Sequence, residues 1–101
     1  MTTSSSANWQ TVMEKNNPEL LKQMTGLREA VMTEGALSIK IKTLMTMLCD
    51  ALLAHPNGVA NIAKRARSLG ASDAEIAETI GVAFLMGGLP GLVTGANAFR
   101  D

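Results

Sequence analysis

The stretch from Thr79 to Ala98, TIGVAFLMGGLPGLVTGANA, carries no charged residue. Its length would suffice to cross a bilayer. Gly87, Gly88 and Pro90 interrupt its middle, however, and Thr94 and Asn97 dilute its end. The expectation is therefore two short buried helices joined by a turn, with no membrane partner. Helices that are apolar nearly all round must be covered on most sides. A chain of 101 residues buries a limited fraction of its surface by itself. Burial against other copies, in an obligate homo-oligomer, is the expected solution.

The rest of the chain reads as helix too. Asn17-Pro18-Glu19 combines a capping amide, a proline suited to the first helical position and an acid near the positive end of the dipole. Leu20, Leu21, Met24, Leu27 and Val31 follow at helical spacing, and Gly35 is the expected stop. Trp9, Val12 and Met13 suggest a short preceding helix or turn. A second long helix is expected from Ser38 to Ala54. His55-Pro56-Asn57-Gly58 breaks it, because proline disfavours helical geometry in the residue before it.

The next helix is expected from Asn57 or Gly58 to Gly70, with Val59, Ile62, Ala63, Ala66 and Leu69 inward. Ser72 and Glu75 have the spacing of a capping box, with Asp73 and Glu78 adding acid to the first turns. Pro90 should open a last helix reaching Phe99. No segment alternates with period two long enough to argue for a strand, and aromatics are only 3% of the chain. The fold class is all-α, as a bundle of five to six helices.

Nine basic and nine acidic residues cancel, so no nucleic-acid partner is expected. A single cysteine makes no internal disulfide and fits a reducing cytoplasm. The N-terminus has neither the charge nor the apolar run of a signal peptide. Residues 1–7 read as a disordered tail and 8–101 as one domain.

The segments GALSIKIKTLM and ARSLGASDAEIAETIGVAFLMGGLPGL resemble the carboxymuconolactone decarboxylase family, which includes the AhpD-like alkylhydroperoxidases. The likeness rests on Leu37, Lys40, Lys42 and Leu44, then Gly70, Ala71 and Ser72, then Glu75, Ile76 and Glu78, then Gly87, Gly88 and Pro90. It spans roughly residues 18–99. It implies an all-α protein assembling as dimers, trimers or hexamers.

The AhpD-like chemistry that the resemblance implies uses a glutamate, two cysteines in C-x-x-C and a histidine. One thiolate attacks the peroxide, the second thiol resolves the sulfenic acid, and Glu and His relay protons. Counted from Gly70, these positions fall on Thr43 for the glutamate, His55 and Gly58 for the cysteines, and Ile62 for the histidine. All four are substituted, and Ile62 also removes the histidine of the decarboxylase branch. The implied reading is a degenerate active site without dithiol peroxidase activity that binds a small organic ligand in an inherited pocket.

Two alternatives stay open. One is a lyase or isomerase for a small organic acid, with His55 as acid/base and Lys40 or Lys42 holding a carboxylate. The other is a non-catalytic structural or regulatory subunit. No cofactor and no metal is expected. Lys40 and Lys42 are otherwise read as solvated or paired with an acid on a neighbouring helix. Met24, Met32, Met45, Met47 and Met86 read as core filling or the lining of an apolar pocket. Cys49, between Leu48 and Leu52, reads as a core thiol, since free cysteine is among the most buried residue types, against the alternative of a reactive thiol; six residues of helix turn it about 240° from His55, so the two do not face each other.

Overall fold

The computed structural model describes residues 5–101, with side chains from Asn8 onward. Five α-helices and a 3-10 turn follow in order: α1 Ser5–Asn16, α2 Pro18–Val31, α3 Ile39–Leu52, α4 Pro56–Ser68, α5 Asp73–Gly95 and the turn Ala96–Phe99. No strand occurs among the described residues. The chain divides into two compact units, one ending at Thr33 and one spanning Glu34–Asp101. Of the stretch 1–7 expected as a tail, residues 1–4 lie outside the described residues, and α1 begins at Ser5.

The first unit is a helical pair. Asn17 caps α2 by accepting the Leu20 N–H at 3.3 Å, with Pro18 at the first helical position. No residue of α2 is buried, and Leu27 and Val31 are more than half exposed. The helix stops at Val31, short of the expected Gly35. Residues 32–37 serve the launch of the next helix: the Glu34 carboxylate accepts the Ile39 N–H, and Ser38 caps α3 by accepting from Ile41.

The second unit holds the core. Leu44, Met47 and Ala51 of α3 meet Val59, Ala63 and Ala66 of α4 and Ile76, Ile80 and Ala83 of α5. Small residues dominate the inner faces, so the helices pack closely. Ser72 and Glu75 form the complete capping box that opens α5. Arg67 ties three parts together: its Nε donates to Asp73, its Nη1 to the Ala98 carbonyl, and its guanidinium lies over the Phe99 ring.

The helical stretch α5 turns back on itself at Gly88, whose φ of 69° and ψ of −161° are open to glycine. Gly91 then rests on the Ala83 carbonyl and Gly95 on the Ile80 side chain, so closely that a side chain at either would collide. The two arms are thus antiparallel neighbours. The stretch Asp73–Phe99 is long and apolar enough to cross a membrane by length and composition. It forms the two short helices expected from its glycines and proline, but they are not buried as expected, because one chain leaves their outward sides uncovered. The second arm ends at Gly95, and the final turn to Phe99 is 3-10 rather than α.

The outward sides of these elements remain apolar. Phe84, Leu85, Met86, Leu89 and Val93 on α5 are exposed, as are Ile41, Met45 and Leu52 on α3. Of the methionines read as core or pocket lining, Met47 is buried, while Met24, Met45 and Met86 are exposed.

Candidate functional site

The exit of α3 is built by its own C-terminal turn. Leu53 caps the helix, Ala54 takes a left-handed φ of 61°, and the His55 N–H donates back to the Asp50 carbonyl at 2.9 Å. This is a Schellman arrangement with alanine where glycine is usual. It throws His55 alongside the helix it has just left. The imidazole Nδ1 then lies 3.0 Å from Asp50 Oδ1. The His55 side chain is 57% exposed and that of Asp50 23%. His55 serves as N-cap of α4, which starts at Pro56 rather than at Asn57 or Gly58, because proline suits the first helical position.

The other Asp50 oxygen is pressed against Gly58. A Cβ at residue 58 would overlap the Asp50 carboxylate. The position that the resemblance gives to the second cysteine is therefore occupied in space by a carboxylate from α3. Of the other positions, Thr43 is fully buried, and its hydroxyl donates to the Ile39 carbonyl of its own helix at 2.8 Å. Ile62 is a half-buried apolar residue packed against the core.

Lys40 and Lys42 do not join His55 as a pair of cations for one ligand. The Lys40 ammonium is 3.0 Å from Glu75, and the Lys42 ammonium packs beside Gly35. The Glu75 carboxyl is held below its usual range, first by the Ser72 backbone N–H and then by Lys40. Lys40 thus follows the structural alternative, pairing with an acid on a neighbouring helix. Two shallow concavities lie along α1 and α2, lined by residues such as Glu14, Leu21, Thr25 and Glu29, and none of the candidate residues lines them.

Cys49 is exposed, which corrects its reading as a core thiol. The inward side of α3 is set by Leu44, Met47 and Ala51. Two residues beyond Met47, the helix has turned by about 200°, so Cys49 faces away. Leu48 and Leu52, the apolar neighbours that suggested a core, are themselves half-buried and exposed.

Two participants escaped the sequence reading. Asp50 is the partner acid of His55, and its spacing signals nothing until Ala54 turns left-handed. Arg100 donates to Asn57 Oδ1 at 2.9 Å and to Asn97 Oδ1 at 3.2 Å, placing a guanidinium at the start of α4. Both of those partners are neutral amides. No group of three or more His, Cys, Asp or Glu side chains suited to a metal occurs among the described residues.

The sequence model of the carboxymuconolactone decarboxylase family matches residues 18–101. The structure is similar to the crystal structure of an apo carboxymuconolactone decarboxylase family protein from Legionella pneumophila, at 30% sequence identity and a TM-score of 0.88. That likeness covers 95% of this chain and 86% of the other. No curated protein gives a significant match. With a family match across both halves of the molecule and an all-α neighbour of the same family, the chain belongs to the carboxymuconolactone decarboxylase family.

Proposed function

We propose that this chain is a cytoplasmic, homo-oligomeric family member that has no dithiol peroxidase cycle and binds a small organic ligand. One observation carries the first part: the Asp50 carboxylate fills the space a side chain at Gly58 would need. Glycine stands at the position of the resolving thiol with that carboxylate against it, and the chain's single cysteine sits elsewhere, on the exposed side of α3. The fully buried Thr43, bonded to its own helix, supplies no proton relay in place of a glutamate. Peroxide turnover with a dithiol reductant should be absent. Robust turnover that disappears in Cys49→Ser would overturn this reading, since it would require thiols from two copies to cooperate.

The exposed apolar residues on the outward sides of α3 and α5 support assembly. Apolar surface of this kind is characteristically covered by a partner. Light scattering at micromolar concentration should give a species well above 10.6 kDa. A stable monomer on high dilution would remove the oligomer from the proposal.

A second reading is favoured by the Asp50–His55 contact: an enzyme acting on a small organic acid, with His55 as acid/base. A carboxylate beside an imidazole is a common arrangement for proton transfer. With Lys40 bound to Glu75, the cation placed to hold a substrate carboxylate at this end is Arg100.

A further inference from the structure

We propose that Asp50 is a positioning residue that fixes the tautomer of His55 and leaves its Nε2 as the working base, making the pair a proton-transfer site that stands where the thiols would be. The inference rests on the second reading above, in which His55 is the acid–base group.

The argument begins with what Asp50 can do. An ionised carboxylate only accepts hydrogen bonds. With Asp50 Oδ1 at 3.0 Å from Nδ1, the neutral imidazole must carry its proton on Nδ1 to make that bond. Nε2 is then the unprotonated nitrogen, and it makes no hydrogen bond within the described residues. The ring is 57% exposed, so Nε2 is open to a ligand arriving from solvent.

The backbone reinforces this orientation. The His55 N–H is bound to the Asp50 main-chain carbonyl, and the second oxygen of the Asp50 carboxylate lies in the space a side chain at Gly58 would take. Asp50 therefore grips both the main chain and the ring of His55. Ala54 accepts a left-handed conformation in the turn that brings them together. Non-glycine residues in that region carry a backbone cost, and such cost concentrates where a local geometry has a use.

The ligand class follows from the chemistry of Nε2. It is a molecule with an acidic O–H or C–H that passes its proton to Nε2. The step breaks the ligand's bond to hydrogen, leaves the electron pair on the ligand and forms an imidazolium. The new positive charge faces the Asp50 carboxylate, and the proton returns to the product in the reverse transfer. No oxidant, reductant or metal takes part.

His55 is the chain's only histidine, so labelling histidine with nitrogen-15 gives one imidazole to observe. In the wild-type protein at a pH where the ring is neutral, the spectrum should show protonated Nδ1 and unprotonated Nε2. Asp50→Ala should invert the ratio toward the Nε2–H form that free histidine prefers. A wild-type spectrum dominated by Nε2–H, or an unchanged ratio in Asp50→Ala, would overturn the proposal. The wild-type spectrum alone decides if the variant does not fold. Absence of turnover on small organic acids, with the Nδ1–H signature present, would count against the enzymatic reading and not against the tautomer assignment.

Discussion

The two ends of α3 each hold a carboxylate oxygen 3.0 Å from a nitrogen, Glu75 with Lys40 at the start and Asp50 with His55 at the exit. The distances match and the roles differ. At the start, Glu75 spends one oxygen on the Ser72 N–H and the other on Lys40, so the carboxylate is fully employed in joining α3 to the cap of α5. At the exit, the partners lie five residues apart, and the outer nitrogen of the ring makes no hydrogen bond among the described residues. A contact that closes on itself across the fold is structural cement. One that ends on an open nitrogen keeps a chemical capacity in reserve.

The strongest way to break the comparison is to intrude on the exit. Gly58 lies inside α4, where alanine ordinarily improves a helix by about 0.5–1 kcal/mol. Here the added methyl must displace the Asp50 carboxylate, so Gly58→Ala should destabilise the chain by about 1–3 kcal/mol in chemical denaturation. In an Asp50→Ala background the same change should cost much less, because the two residues share one space. Additive effects would show that Asp50 does not occupy it.

A smaller effect of opposite sign is expected one turn away. Ala54→Gly removes the steric cost of the left-handed turn and should stabilise by about 1 kcal/mol. A loss of stability would mean that the alanine methyl makes a contact worth more than its strain.

The start of α3 should respond least at neutral pH, because half-exposed ion pairs contribute little. Its signature is pH. Glu75 has a lowered folded-state pKa, so its contribution is complete above the usual glutamate range and is lost as pH falls through the folded value. Glu75→Gln should flatten that part of the acid denaturation curve. Equal acid sensitivity in wild type and variant would remove the distinction drawn for this end.

The helices were legible because their ends are written in residue chemistry. Asn17-Pro18, Ser38, and Ser72 with Glu75 all cap where their types predict, and Gly88 reverses the chain where the apolar stretch had to break. The first long helix was overextended to Gly35 because its true end, near Met32, offers no glycine. The site was legible in part. His55 stood out as the chain's only histidine, at a position taken from the family pattern. Asp50 did not, because its partnership depends on a left-handed alanine, and alanine is the residue least expected to signal one. Cys49 is exposed because Leu52, one turn on and on the same side of α3, is itself exposed, so an apolar neighbour there does not mark the core.

The reversal at Gly88 also bears on how the chain reaches its fold. Ile80 meets Gly95 and Ala83 meets Gly91, pairings that are local in sequence. Local contacts close early and cheaply, while distant ones wait on a longer loop search. The longest uncharged stretch of the molecule therefore carries its own rapid means of folding over. In a pulse-labelling hydrogen-exchange experiment, amides on both arms of α5 should gain protection together and ahead of those in α3.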